Sequence, residues 1–349
     1  MKIVDLRSDT VTLPTGAMRE AIYKAEVGDD VFGEDPTVKK LEEMSAKKMG
    51  KDSALFVASG TMGNLVSILT HCGRGDEVIL GDQCHSFLYE AGGIAALGGI
   101  HPFPLQNQPD GTMKLDQIRS AIRQDNVHFP RTKLICLENT HNRCFGSPLH
   151  PEYMADVYKI AEENNLAVHL DGARIFNAAT ALGVDVKKFT RYVDSVAFCL
   201  SKGLSAPVGS VICGKTDFIK EARRIRKMVG GGMRQAGIIA AAGIVALEQM
   251  TDRLADDHRN AKRLAEGISQ IKGLSIDLSR VQTNIVYFGI ENGRIKTELL
   301  IKEMSQKGVL FLSTGPDKFR MVTHCGIEAG DIKKTLTILR QVMKKAIAG

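Results

Sequence analysis

The stretch "HPEYMADVYKIAEENNLAVHLDGAR", His150 to Arg174, decides the fold. Its first part, His150 to Asn165, puts apolar residues at helical spacing. Its second part, "AVHLD" (Ala167 to Asp171), is a short apolar run of the kind that forms a strand covered on both faces. The same alternation recurs along the chain. "EVIL" (Glu77 to Leu80), "KLICLEN" (Lys133 to Asn139), "SVAFCLS" (Ser195 to Ser201) and "SVICG" (Ser210 to Gly214) read as strands separated by helix-length segments. Strands that are apolar throughout predict a mostly parallel sheet with helices on both sides, an α/β fold. After about residue 250 the pattern changes. A charged helix from Asp252 to Gly267 precedes strands "NIVYFGI" (Asn284 to Ile290), "VLFLS" (Val309 to Ser313) and "FRMVT" (Phe319 to Thr323). We expect a large domain over residues 1–250 and a small α+β domain over 251–349.

Composition excludes several function classes. Apolar residues make up 44% and charged residues 25%, ordinary globular values. The net charge is +6, but no basic arm is present, and "EARRIRK" (Glu221 to Lys227) reads as a solvated helix face. Neither nucleic acid nor a membrane is an expected partner. The longest apolar run, Ala236 to Leu247, is too short to span a bilayer and suits a buried helix. The polar start "MKIVDLRSDT" is no signal peptide. Seven scattered cysteines without a C-x-x-C pair fit the reducing cytoplasm, and no metal site is expected.

In open parallel sheets ligands gather beyond the C-terminal ends of the strands. Asp171, Lys202, Glu138 and Asn139 all fall at such ends. In "AFCLSKGLSAPVGS" (Ala197 to Ser210), Lys202 stands among apolar and small residues with no carboxylate in the segment. Desolvation favours a neutral amine, the form a nucleophile needs. Asp171 ends an apolar strand, so its carboxylate needs a cation: Arg174, or a protonated ring nitrogen of a cofactor. In "LFVASGTMGN" (Leu55 to Asn64), Gly60 and Thr61 open a helix-like segment, whose free N–H groups suit a phosphate. An Asp for a pyridinium, a Lys for a Schiff base and a phosphate cradle are together what pyridoxal phosphate requires.

The motifs "DLRSDTVT", "SGTMGN", "HLDGAR", "DSVAFCLSKGLSAPVGS" and "GGGMRQAG" resemble those of the low-specificity L-threonine aldolases. These belong to the β-eliminating lyase group of fold type I pyridoxal-phosphate enzymes. The resemblance runs from Asp5 to the C-terminal helix. It implies a large domain with a seven-stranded, mostly parallel sheet, a small C-terminal domain, and a homodimer or homotetramer with active sites at a dimer interface. It implies reversible cleavage of L-threonine or L-allo-threonine to glycine and acetaldehyde. By the same resemblance Lys202 would carry the cofactor, Asp171 would pair with its ring nitrogen, and Arg174 would contact the ring oxygen or orient Asp171. Gly60 and Thr61 would hold the phosphate and His85 would lie on the ring face. Ser8 and Arg320 would grip the substrate carboxylate. The base for the β-hydroxyl is left open among His85, His128 and a water, with Glu90 as a supporting carboxylate. Two positions depart from the family pattern: Ser205, where a glycine is usual, and Phe145 beside Gly146, where a glycine pair is usual. The alternatives are a β-eliminating lyase acting on another amino acid, for which the chain's 5% aromatic content is meagre, and a non-catalytic binding protein on the same scaffold.

Overall fold

The computed structural model describes residues 2–291 and 295–348. Thirteen strands are present among them: β1 (Val4–Asp5), β2 (Ser53–Val57), β3 (Asp76–Gly81), β4 (His101–Leu105), β5 (Arg131–Glu138), β6 (Ala167–Asp171), β7 (Ser195–Cys199), β8 (Ser210–Gly214), β9 (Leu274–Ser275), β10 (Ile285–Ile290), β11 (Val309–Leu310), β12 (Leu312–Gly315) and β13 (Lys318–Val322). Seven form one sheet in the order β2-β8-β7-β6-β5-β3-β4. Only β8 runs against its neighbours; all the other pairs are parallel.

Alternate residues of these strands enter different hydrophobic clusters, which is why the strands are apolar throughout. Phe56, Val196, Phe198, Val211 and Cys213 pack with Leu41, Met154 and Val157 from helices Pro36–Met49 and Pro151–Glu163. Leu55, Val57, Ala197 and Ile212 face Val66 and Ile219 from helices Gly60–His71 and Thr216–Met228. The strand "HPFPL" carries two prolines and escaped the sequence reading. It lies at the sheet edge and pairs only with β3, the one place where missing N–H donors are tolerated.

The C-terminal strands form an antiparallel sheet, β12-β13-β10-β9. "VLFLS" is not one strand. β11 pairs in parallel with β1, β12 pairs with β13, and buried Phe311 marks the change of partner. Val4 and Leu6 are thereby buried in the same cluster as Phe288, Phe319 and Met321. The segment Glu221 to Lys227 is solvated only along Glu221, Arg224 and Lys227. Arg226 is only 2% exposed and donates to Asp30 at 2.6 Å and to the Phe56 carbonyl at 2.7 Å. Arg223 reaches Glu42 at 2.8 Å. Among the described residues no helix is long and apolar enough to cross a membrane.

Candidate active site

β5, β6 and β7 end side by side, and their last residues begin the site. Glu138 on β5 accepts from the backbone N–H of His85 at 2.7 Å and of Asn142 at 2.8 Å, fixing two loops at once. Asp171 on β6 is buried and accepts from Asn64 Nδ2 at 2.8 Å and from the Ala173 N–H at 3.0 Å. Both donors are neutral, so the carboxylate retains its need for a cation.

Arg174 is not that cation. Its guanidinium forms a bidentate pair with Asp9, at 2.7 and 2.6 Å, and both residues are buried. Burial pushes the Asp9 carboxyl up, but Arg174, Lys202 and Asn284 outweigh it and hold Asp9 far below the usual carboxylate range. The sequence reading missed Asp9 because its partner lies 165 positions away.

Lys202 is half-buried in the loop after β7, and its ammonium has no ion-pair partner among the described residues. Its field reaches both Asp9 and His85, which places it between the N-terminal segment and the His85 loop. Helix Gly60–His71 is capped by Ser59 Oγ, which accepts from Met62 N at 3.1 Å, leaving the Gly60 and Thr61 N–H groups for a ligand. Gly60 is glycine for a packing reason: a Cβ there would stand 2.9 Å from Cys199 Sγ at the end of β7.

His85 Nδ1 pairs with Glu90 Oε1 at 2.8 Å. That hydrogen bond, aided by Asp171 and opposed by burial, raises the imidazole above its ordinary value. Burial, with Asp171 nearby, raises the Glu90 carboxyl in turn. Asn64 Nδ2 bridges the Glu90 and Asp171 carboxylates, at 2.8 Å each. Its Oδ1 meets His169 Nε2 at 3.3 Å, His169 Nδ1 meets Ser195 Oγ at 2.8 Å, and Ser195 Oγ meets His71 Nε2 at 2.8 Å. A buried chain therefore runs from Asp171 back through the sheet. Burial pushes His169 down to about 3 and His71 to about 4, so both imidazoles are neutral. Asn64 stands four residues after Gly60 on the same helix face, a spacing that could have flagged it. His85, Glu90 and Asp171 have donor atoms within 4.8 Å of one another. Glu90 Oε1 is shared by His85 and Asn64, which ties the group into one hydrogen-bonded unit, while the buried Oε2 has no partner.

Of these residues His85 lines a cleft of about 480 Å³, together with Tyr89, Asn142, Arg143, Tyr287 and Arg320, with Leu312 to Thr314 at its side. Arg320 donates to Asn142 Oδ1 at 2.8 Å and to the Arg7 carbonyl at 3.2 Å, while its buried Nε has no partner. Ser8, next to that carbonyl, accepts from Thr10 N at 3.2 Å and caps the short helix that presents Asp9. A larger open groove of about 820 Å³, with Lys47, Lys48 and Lys187 on its walls, contains none of the expected site residues. His128 is exposed in the loop before β5. It lies at the opposite end of that eight-residue strand from Glu138, about 20 Å or more away. Among the described residues of one chain, nothing brings it to the cleft.

The two departures from the expected motifs share a backbone property. Ser205 has φ 64° and Phe145 φ 62°, left-handed values that favour glycine. Ser205 is buried with Oγ 2.9 Å from Cys325 Sγ, and the Phe145 ring packs edge-on against Tyr287 with centroids 5.3 Å apart.

Residues 5–291 match the pattern of the beta-eliminating lyases. The chain belongs to the beta-eliminating lyase family. Within that family it is 50% identical over 347 residues to low-specificity L-threonine aldolase 1 of Arabidopsis thaliana, covering 98% of this chain and 97% of the relative. It is 48% identical over 325 residues to the low specificity L-threonine aldolase of Escherichia coli K12, covering 93% and 95%. A threonine aldolase structure from Leishmania major superposes with TM-score 0.83 over 97% of this chain and 99% of that one, at 19% identity. A serine palmitoyltransferase structure from Sphingomonas wittichii gives TM-score 0.78 over 99% and 88%, at 17% identity. This chain thus has the fold type I architecture that the sequence resemblance implied.

Proposed function

We propose that the chain is a pyridoxal-phosphate-dependent carbon–carbon lyase that cleaves L-threonine and L-allo-threonine reversibly to glycine and acetaldehyde. The observation that carries this reading is the buried, cation-less carboxylate of Asp171 on the strand end beside the loop of the unpaired Lys202. A cofactor with a protonatable ring nitrogen and an aldehyde satisfies both groups, and the Gly60–Thr61 helix start suits its phosphate. When bound, pyridoxal phosphate supplies the electron sink for the Cα–Cβ bonding pair.

The chain's own residues do the rest. Arg320, which lines the cleft, offers its uncommitted Nη hydrogens to the substrate carboxylate, beside Ser8, and so sets the angle of the scissile bond. His85 covers the ring site and, when neutral, accepts the β-hydroxyl proton. Glu90 holds the His85 ring in place through Nδ1. Arg174 holds Asp9 against the lysine loop and supports the site without touching Asp171.

Exposed Leu13, Tyr23 and Phe32 support assembly into a homodimer or homotetramer. His128 would then act only from a neighbouring subunit. Seven free cysteines support a reducing, cytoplasmic setting. The test is glycine and acetaldehyde production from the four threonine stereoisomers, with and without added pyridoxal phosphate. Absence of cofactor-dependent cleavage of both L isomers would refute the reading.

A further inference from the structure

We propose that the cleft also takes β-hydroxy-α-amino acids carrying a second carboxylate on Cβ, with Arg143 as the counter-ion of that group. The inference rests on the roles given above to Lys202 and Arg320, and concerns the part of the cleft that Arg320 leaves free. The cleft lining holds two guanidinium groups and no Asp or Glu. Arg320 gives two of its five N–H groups to Asn142 and the Arg7 carbonyl, and the remaining donors of this one guanidinium serve one carboxylate. Arg143 makes a single side-chain hydrogen bond, from Nη1 to Tyr89 Oη at 3.0 Å, and no ion pair among the described residues. A neutral phenol orients the guanidinium without balancing its charge. The Tyr89 ring stands beside that of His85, centroids 5.6 Å apart, so Arg143 lies on the side where His85 meets the β-hydroxyl.

Threonine has one carboxylate, and its β-methyl offers Arg143 nothing. A substrate such as 3-hydroxyaspartate supplies an anion to each arginine, in the planar geometry a guanidinium favours. Its cleavage balances without any oxidant or reductant. The Cα–Cβ bond breaks and its electron pair stays with the Cα fragment, which gains a proton and leaves as glycine. The β-hydroxyl loses its proton, and Cβ leaves as the carbonyl carbon of glyoxylate.

The experiment uses the holoenzyme with L-threo- and L-erythro-3-hydroxyaspartate, reading glycine and glyoxylate, beside L-threonine with the same preparation. Wild type should release both products from at least one diastereomer. In Arg143→Gln the ratio of kcat/KM for hydroxyaspartate to that for threonine should fall about 10- to 100-fold, the range for one charge-assisted hydrogen bond. Arg143→Lys should fall between. A wild type that cleaves threonine but yields no glyoxylate overturns the proposal, as does a ratio that stays within about twofold in Arg143→Gln. A preparation inactive on threonine as well refutes the aldolase reading itself, so the two failures are distinct.

Discussion

Lys202 is the residue on which the chemistry turns, and its replacement is the most direct test. Lys202→Ala should remove the visible absorbance of the covalently held cofactor and lower turnover by several orders of magnitude. The fold should survive, since the side chain is half-buried and makes no hydrogen bond that packing depends on. Near-wild-type turnover would show that another amine does the work. Arg320→Lys keeps the charge but loses the planar fork, so kcat should fall along with any rise in KM. A change confined to KM would mean that Arg320 binds the carboxylate without setting its angle. At this scale the sequence was readable where neighbours in the chain are neighbours in space. Asp171 stood out because it ends an apolar strand, and Lys202 because it follows one within three residues. The partner of Arg174 did not, because local spacing pointed to Asp171 while folding delivers Asp9.

The strand ends and the helix Gly60–His71 act as one hydrogen-bonded unit, and two outcomes belong to them. The Glu90 carboxylate raises the His85 imidazole, and cleavage requires the neutral ring. The rate should therefore increase with pH through a value above the ordinary histidine range near 6.5. Glu90→Gln should move that acid limb to lower pH; a limb that stays or moves upward would sever the pair from catalysis. The second outcome concerns the chain Asn64–His169–Ser195–His71. Both imidazoles are neutral when folded, at about 3 and about 4, while the unfolded chain takes up their protons near 6.5. Stability from this source is complete above that pH and falls on acidification, by about 1.4 kcal/mol per histidine for each pH unit. The urea midpoint at pH 5 should lie clearly below that at pH 7, and a flat profile would contradict the buried neutral rings. His169→Phe should also weaken pyridoxal phosphate binding about tenfold, the worth of one hydrogen bond that orients Asn64 and through it Asp171. An unchanged affinity would leave His169 as packing alone. Periodicity exposed these elements but not the chain joining them, because a buried imidazole looks the same in sequence whether it packs or relays.

The whole molecule is laced together at its N-terminal segment. β1 joins the small antiparallel sheet's neighbourhood through β11, while Asp9, five residues further on than Val4, anchors Arg174 at the end of the large sheet. Asp9→Ala should cost about 3–5 kcal/mol in denaturant unfolding, the penalty for leaving a buried guanidinium unpaired. A loss below about 1 kcal/mol would mean water replaces the carboxylate there. The large sheet was legible because every central strand is apolar on both faces; the role of residues 4–11 was not, since a two-residue strand has no period to detect. The β1–β11 pairing also sets an order of events during synthesis. Val4 pairs with Val309, 305 positions later (309 − 4). At about 5–20 residues per second, a ribosome needs roughly 15–60 s to make the intervening chain. β1 thus waits that long for its partner, and for that time Val4 and Leu6 are bare apolar side chains on a nascent chain, open to chaperones and to mispairing.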